Sequence, residues 1–485
     1  MGKAKELSPE KIARRKAAEA RELERLRKEQ AKPKGSGYMI YFIMIITVVY
    51  LVDEIASQIG TQMQTIVASE IFAPVFGAEY AMARMGSLGM IGIIITVLAF
   101  LYKPLSDRYG RRIFLVANTL GMGLGMLFVG IATNIPVYFL GAWVTAFFTP
   151  HDMQAVYIYE STPAKHRAKI YSIIKGMATL GMFLIPFLRN LFITETDQSG
   201  WRFVYIIPGI IGLAVSIAAL FLVRESDAFV ESRIHQLTMT EEEKEAAKAK
   251  NQDAEARGGL GKAFKFIFRH GQLRYLCIAY GFMMFGMLIA MYYETTMTYG
   301  YAQSFQAAGM EMEAARQQAI PMVTAALMTF PLASAVIQIL QGFFSDTLGR
   351  KPALLSMSIM CLVSYLLFFA GANQSWNPYF VGVMAGLSVG SYWGAGDING
   401  IMITESAPTN LRLSILTLQP VIGMAIFALG MIGYLVAINL LGDAMIGIIC
   451  FAFAVPGLAI GILLVMFKTK ETRGVDLGKV SGDEF

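Results

Sequence analysis

The segment SDRYGRR at residues 106–112 recurs in the second half of the chain as SDTLGRK at residues 345–351. Each copy is followed by a second matching segment, ESTPAKHR at 160–167 and ESAPTNLR at 405–412. An aspartate stands eight residues before the glutamate of each of these later segments. Matches that keep the same order along the chain predict two homologous halves.

Composition places these halves in a membrane. Of the 485 residues, 55% are hydrophobic and only 16% are charged, and the mean hydropathy is +0.52. Soluble domains carry about 25% charged residues, so the composition excludes a disordered chain, an ordinary nucleic-acid binder and a disulfide scaffold. The three cysteines lie in apolar runs without metal-ligand or redox spacing. We therefore expect no metal site and no cofactor.

Twelve apolar runs reach or exceed the length of about 20 residues that a hydrocarbon core of about 30 Å requires. They fall at 38–67, 82–105, 112–134, 136–160, 168–193 and 202–223, and after a polar gap at 271–300, 320–345, 353–371, 377–405, 412–440 and 443–467. The predicted fold is an all-α polytopic membrane protein with twelve transmembrane helices in two six-helix bundles. The predicted units are a basic, charged N-terminal helix (1–37), the first bundle (38–223), a linker (224–270), the second bundle (271–467) and a C-terminal tail (468–485).

Lysine and arginine are concentrated in the N-terminal tail, in every second loop and after the last apolar run. Because cytoplasmic loops carry the excess of these residues, both termini are predicted to be cytoplasmic, in the plasma (inner) membrane. Residues 8–30 predict a charged helix that is either solvated or lies on anionic lipid. The lipid bilayer is the expected partner, nucleic acid is not, and we expect a monomer.

The repeated segments resemble the signature of the major facilitator superfamily, which lies between its second and third spans. The matching residues are Asp107, Arg108, Gly110, Arg111 and Arg112 in the first half, and Gly342, Asp346, Gly349, Arg350 and Lys351 in the second. Lys103 departs from the glycine that the family has at that position. The segments at 160–167 and 405–412 are similar to those of the sugar-porter and metabolite–proton symporter branches. The resemblance implies two halves that rock around a central small-molecule site.

The resemblance also implies that the charged motifs form a gate. Glu160 and Glu405 are predicted to form ion pairs with Arg111 and Arg350 that hold the cytoplasmic side shut and break as the halves rock. The alternative is that these basic loops only fix the topology. The predicted gating residues are Asp107, Arg108, Gly110, Arg111, Arg112, Glu160, Arg167, Asp346, Gly349, Arg350, Glu405 and Arg412.

Ionisable side chains inside the apolar runs mark a predicted pathway, because a charge at mid-bilayer costs at least about 2.5–3.5 kcal/mol on insertion scales. The carboxylates concerned are Asp53, Glu54, Asp152, Glu294 and Asp397, and Gln58 shares a helix face with Glu54. The resemblance implies that Asp53 aligns with the proton-carrying aspartate of sugar–proton symporters. Proton coupling is predicted through Asp53 or Glu54, and the alternative is a structural ion pair or a hydrogen bond between helices.

Basic residues within the runs are few. The arginine that sugar–proton symporters carry in the fourth span is missing, since residues 140–143 read LGAW. Asp152 and Lys175 lie at similar depth on consecutive helices and are predicted to pair. Asp397 has no basic counterpart in the sequence and is expected to have no partner, or to be free to meet a substrate hydroxyl or a cation. Arg189 is expected to extend to the membrane interface.

Gln338, Trp393 and Asn399 complete the predicted pathway, in which Trp393 either stacks on a ring of the substrate or packs in the bundle. No phosphate loop, metal spacing or nucleophile elbow is present in the sequence, so an enzyme is not expected. The predicted function is secondary active transport of a small polar solute, a sugar or metabolite, by alternating access with proton symport. The alternatives are a uniporter or exporter of the same fold, or a transporter-derived solute sensor.

Overall fold

The computed structural model describes residues 9–32, 35–102, 105–149, 157–158, 160–161, 167–240, 242–243, 260–408 and 411–474, and their regular structure is helical. One helix precedes the first half, and breaks divide several of the predicted runs into two pieces. The helices of nine or more residues are α1 (Pro9–Gln30), α2 (Ser36–Gln62), α3 (Ala81–Gly89), α4 (Gly92–Tyr102), α5 (Arg111–Gly130), α6 (Ile135–Phe148), α7 (Arg167–Gly181), α8 (Leu184–Phe192) and α9 (Trp201–Leu222).

Two shorter helices lie in the linker, and longer helices build the second half. The linker helices are α10 (Asp227–Thr238) and α11 (Leu260–Arg269). The second half contains α12 (Gly271–Met283), α13 (Met287–Ala307), α14 (Met312–Leu348), α15 (Arg350–Asn373), α16 (Pro378–Ser406), α17 (Arg412–Leu441) and α18 (Ile446–Lys468). A single 3₁₀ turn at Met284–Gly286 joins α12 to α13, so the two form one span of 37 residues, Gly271–Ala307.

Eight helical segments in the described part of the chain are long and apolar enough to cross a membrane. The other predicted spans differ from these for identifiable reasons. The second is divided between α3 and α4 by glycines at Gly89 and Gly92, and the fifth between α7 and α8, where Pro186 lacks the N–H that would continue the helix. Helix α6 is short because it ends at Phe148, where the backbone of Thr149 leaves the helical conformation, and α16 is long but more polar.

Both halves begin and end at the same end of the bundle. Helix α2 starts there and α9 ends there, beside α1 and the linker helices, while α12 starts and α18 ends there in the second half. We call this the terminus end and the opposite one the far end. The largest group of contacting buried side chains spans both halves and includes Phe72 and Trp201 of the first half with Phe285 and Tyr434 of the second.

Glycines allow helices to approach closely inside each half. A Cβ built on Gly141 of α6 would lie 2.6 Å from the Val129 nitrogen of α5, and one built on Gly382 of α16 would lie 1.9 Å from the Ala326 oxygen of α14. Real Cβ atoms do not approach backbone atoms so closely. These helix pairs therefore depend on small residues at the crossing, as is common in membrane bundles.

Replacement of Gly382 by alanine should destabilise the protein, since the new methyl group displaces the backbone of α14. We expect a loss of about 1–3 kcal/mol, the usual range for overpacking. Gly400→Ala on the same helix is the matched control, because no heavy atom lies within 4 Å of the position that its Cβ would take. Thermal unfolding in detergent can be followed with a thiol-reactive dye, because Cys277, Cys361 and Cys450 are buried. An equal fall in Tm for both variants would contradict the packing argument.

Candidate functional site

The two signature segments have the same backbone conformation at the terminus end. Gly110 has a φ of 109° and Gly349 a φ of 108°, a region that favours glycine. A Cβ on Gly110 would lie 2.3 Å from Glu225 Oε2, and one on Gly349 would lie 2.8 Å from Glu471 Oε2. Each glycine therefore turns the chain and leaves room for a carboxylate.

The arginine after each glycine pairs with the glutamate of the second repeated segment. Arg111 Nη2 lies 3.2 Å from Glu160 Oε1, and Arg350 Nε lies 3.1 Å from Glu405 Oε1. All four side chains are partly buried. Both ion pairs are those that the sequence predicts. Each pair joins helical segments of one half, so neither one directly bridges the two halves.

Hydroxyl groups complete the two networks in the same way. The arginine of the first half donates to Ser106 Oγ at 3.0 Å, and that of the second half donates to Ser345 Oγ at 2.9 Å. Ser226 Oγ donates to Glu160 Oε2 at 2.7 Å, and Thr472 Oγ1 donates to Glu405 Oε2 at 2.6 Å. Ser226 follows the sixth span and Thr472 follows the twelfth, so equivalent residues complete the same hydrogen-bond network in each half.

Glu225 and Glu471 occupy equivalent positions, and their pKa values are shifted in opposite directions. Each accepts hydrogen bonds from the first two backbone N–H groups of a helix, α5 at 2.9 and 3.1 Å and α15 at 2.9 and 3.0 Å. Burial raises the pKa of Glu225 despite these donors. Burial acts in the same direction on Glu471, but four backbone N–H donors outweigh it, and the pKa of Glu471 lies below its ordinary value.

The remaining predicted gating residues are only partly described. Asp346 is exposed and pairs with Arg350 at 2.8 Å. Arg112 donates to the Leu220 carbonyl oxygen, and Arg412 donates to the Ala407 carbonyl oxygen at 3.2 Å. The side chains of Asp107, Arg108 and Arg167 lie outside the described part of the structure. Their gating role stays a prediction.

A buried ion pair joins the two halves towards the far end. Arg189 Nη1 of α8 lies 3.0 Å from Glu294 Oε1 of α13, and both side chains have no exposed surface. Arg189 also donates to the Gln62 carbonyl oxygen and to Thr324 Oγ1, the latter at 3.0 Å. The expectation that Arg189 extends to the membrane interface is therefore wrong. The carboxylate and the two further acceptors hydrogen-bond the guanidinium inside the protein, so the side chain does not extend to the membrane interface.

Thr65 is a second link between the halves at the same place. Its Oγ1 donates to Glu294 Oε1 at 2.6 Å and its backbone N–H donates to Glu294 Oε2 at 3.2 Å. Its carbonyl oxygen accepts from Arg316 at 3.3 Å. Tyr293, the residue before Glu294, donates from its Oη to Gln58 Oε1 at 3.4 Å. Two predicted pathway residues, Gln58 and Glu294, thus lie in one polar layer between the halves.

Asp443 forms a third link, in which its carboxylate caps a helix of the other half. Its two carboxylate oxygens accept the backbone N–H groups of Met82 at 2.7 Å and Ala83 at 2.8 Å, in the first turn of α3. Its own N–H donates to the Glu79 carbonyl oxygen at 2.8 Å. Asp443 is buried. In the sequence it is only one acidic residue among several in a loop poor in lysine and arginine, so its role was not predicted.

Asp397 and Trp393 lie one turn apart on α16, and both are exposed. Gln341 of α14 donates to Asp397 Oδ2 at 2.9 Å. The expectation that Asp397 has no partner is therefore wrong, since a neutral amide takes the place of a basic residue. Trp393 contacts the ring of Tyr392 edge to face, with ring centroids 5.0 Å apart.

The remaining predicted pathway residues are dispersed. Asp53 is buried and Glu54 is partly buried on α2. Gln338 donates to Ser334 Oγ within its own helix at 3.0 Å, while Asn399 accepts from Gln419 at 3.0 Å and is buried. Lys175 is partly buried on α7, and Asp152 lies outside the described residues, so their pairing stays a prediction. Among the described side chains, no three His, Cys, Asp or Glu come together as metal ligands.

The molecule has two homologous helical halves, matching charged networks at one end and a polar layer between the halves. These features define a membrane transporter built from repeats. The sequence profile of the Major Facilitator Superfamily matches residues 36–419, and the chain belongs to this superfamily. It is an integral membrane transporter and not an enzyme, and its partners are a small-molecule substrate and membrane lipid. The predicted family is thus confirmed.

Similar proteins agree with this assignment. The metabolite-transport candidate YwtG of Bacillus subtilis (strain 168) is 23% identical over 402 residues, which cover 78% of this chain and 82% of that protein. The glucose transporter GlcP of Staphylococcus epidermidis is 26% identical over 122 residues, a quarter of each chain. The inward-open xylose transporter XylE from E. coli has a TM-score of 0.59 at 14% identity and covers 91% of this chain and 98% of its own. A crystal structure of a D-xylose–proton symporter has the same TM-score at 16% identity, with 90% and 99% covered. The predicted twelve-helix fold is therefore confirmed.

Glu294→Gln should destabilise the protein strongly, because it leaves the Arg189 guanidinium buried without a counter-charge. The expected loss is about 3–5 kcal/mol, measured as a fall in Tm. Glu313→Gln is the matched control, since it breaks an ion pair with Arg316 in which the glutamate is 47% exposed, and should lose less than about 1 kcal/mol.

The double variant Arg189→Met/Glu294→Met removes both charges and should recover much of the loss. The argument would be contradicted if Glu294→Gln and Glu313→Gln lowered Tm equally. It would also be contradicted if the double variant were less stable than Glu294→Gln.

Proposed function

We propose that the protein is a secondary active transporter that moves a small polar solute, a sugar or another metabolite, by alternating access. One observation carries the proposal: the hydrogen bonds that join the halves in the described residues gather towards the far end, around Arg189, Glu294 and Asp443. A bundle held together at one end can separate at the other. Two-repeat transporters alternate between a state that is closed at one end and a state that is closed at the other, and the two halves rock against each other as they do so.

The proposed orientation places the terminus end in the cytoplasm. In the described structure this end carries Arg111, Arg112, Arg350, Lys351 and Lys468, and the rule that cytoplasmic loops are rich in Lys and Arg supports this orientation. The far end faces the outside of the plasma (inner) membrane. The conformation of this structure is accordingly proposed to be closed towards the outside.

The proposed substrate class rests on the exposed face of α16. Asp397 and Gln341 together offer acceptors and donors for hydroxyl groups, and Trp393 one turn away offers an aromatic face. Few polar groups beside an aromatic surface are typical of sites for small polar ligands. The names of the relatives, which refer to metabolite, glucose and xylose transport, support a sugar or related metabolite.

Proton symport is the proposed coupling. Asp53 is a buried carboxyl group on α2 and Glu54 is partly buried beside it. On the neighbouring turns of the same helix, Gln58 and Gln62 contact the polar layer between the halves. Proton binding at such a carboxyl group would change the charge next to the surface along which the halves move. The D-xylose–proton symporter among the similar structures supports this choice of coupling ion.

Transport in proteoliposomes tests the substrate class and the coupling together. Uptake of labelled D-xylose and D-glucose should rise several-fold when the exterior is made acidic relative to the lumen. Asp53→Asn, or Glu54→Gln if that residue carries the proton, should abolish accumulation while exchange of labelled for unlabelled sugar persists. Asp197→Asn, in a loop at the far end, is the control. Uptake that does not change with the proton gradient would indicate a uniporter. The absence of transport for every metabolite tested would contradict the proposal.

Asp443→Asn should shift the protein towards a conformation open at the far end. Asparagine keeps one acceptor oxygen but loses the charge that the N-terminus of α3 favours. Spin labels at Val75→Cys and Met310→Cys, exposed positions of the two halves, report the separation by pulsed electron resonance. The distance distribution should move to longer values in Asp443→Asn and stay unchanged in Asp197→Asn. The same distribution in all three proteins would contradict a bridging role for Asp443.

A further inference from the structure

The N-terminal helix α1 is held against the linker helix α10. Leu26 of α1 is 3% exposed although most of the helix is polar. Glu22 contacts Arg233 of α10 through both carboxylate oxygens, at 2.9 and 3.2 Å. The helix is therefore anchored by an apolar contact and a two-point ion pair, a geometry that is stronger than a single-point pair.

A cavity of about 510 Å³ opens between this helix and the start of the membrane-spanning helix α5. It is lined by side chains of three segments: Arg21, Glu22 and Arg25 from α1, Arg233 from α10, and Tyr109 and Ile113 at the first signature segment. Glu22 neutralises Arg233. The guanidinium groups of Arg21 and Arg25, which lie on one face at a four-residue spacing, leave the cavity with a net positive charge.

The other wall of the cavity is apolar and lies where α5 enters the membrane. Ile113 and Tyr109 are each 52% exposed. Because α5 is one of the helices long and apolar enough to span the bilayer, its first turns lie at the level of the lipid headgroups. A ligand that fits must therefore present a negative group to two arginines and an aliphatic part to Ile113.

We propose that this cavity binds an anionic phospholipid of the adjacent leaflet. The phosphate contacts Arg21 and Arg25, because guanidinium groups match phosphate oxygens with paired hydrogen bonds. The glycerol and the start of an acyl chain lie along Tyr109 and Ile113. The lipid thus connects α1 to the segment that turns at Gly110, so α1 would respond to the lipid composition of the membrane.

Direct measurement of lipid binding to the 485-residue chain tests this site. Native mass spectrometry of the detergent-purified chain should show phosphatidylglycerol bound more tightly than phosphatidylcholine. Loss of each arginine should weaken phosphatidylglycerol binding about fivefold, as expected for a basic residue at an anionic surface. The variants are Arg21→Gln, Arg25→Gln and the double substitution. Glutamine favours helix about as well as arginine, so α1 should stay folded.

Arg27→Gln is the matched control, because it removes the same charge from the same helix on a face about 200° away from Arg25. It should change phosphatidylglycerol binding by less than about twofold. Equal losses for Arg25→Gln and Arg27→Gln would overturn the site in favour of diffuse attraction to the membrane. Equal binding of phosphatidylcholine in the unmodified protein would also overturn it.

Inorganic phosphate separates a lipid site from a site for a free anion. The proposal predicts that phosphatidylglycerol raises Tm in the unmodified protein and not in the Arg21→Gln/Arg25→Gln variant, while millimolar inorganic phosphate without lipid leaves Tm unchanged. If inorganic phosphate alone raises Tm and the double variant abolishes this rise, the ligand is a free phosphate and the lipid proposal is wrong.

Discussion

The ion pair between Arg189 and Glu294 is the interaction on which the arrangement of the two halves depends. Both side chains are fully buried, and the removal of two charges from water costs several kcal/mol for each ion unless every group finds a partner. Here the partners come from both halves: the Gln62 carbonyl oxygen and Thr65 from the first, and Thr324 from the second. These contacts form only when the halves are in this relative position. Any motion that separates them there must provide water or new partners for both charges.

The repeat in the sequence made the charged networks at the terminus end predictable. Gly110 and Gly349, and the ion pairs of Arg111 and Arg350, occupy matching chain positions, so their roles within each half follow from one another. The fold was predictable for the same reason, together with the apolar runs. The helix breaks near Gly89 and Pro186 were harder to predict from the sequence, because an apolar run has the same composition whether its helix is continuous or interrupted.

The contacts between the halves were not predictable. Arg189 and Glu294 lie in segments with no sequence match to each other, and hydropathy does not tell which face of a helix meets the other bundle. The contact of Asp397 with an amide from α14 was not predictable either, because amides leave little trace in a charge pattern. The two repeats also differ in detail. Glu225 is followed by the helix Asp227–Thr238, whose Phe229 lies close to Gly110, whereas Glu471 is followed by a turn at residues 473–474 and is more exposed to solvent.

The cap that Asp443 provides makes the local order of one half conditional on the position of the other. The first turn of Ala81–Gly89 has no capping side chain of its own, and its Met82 and Ala83 amides are satisfied from across the interface. When that carboxylate withdraws, these amides meet water and the turn frays, since uncapped helix ends lose their hydrogen bonds first. Amide hydrogen exchange at two consecutive residues thus becomes a direct measure of how often the far end opens, read without any label or substrate.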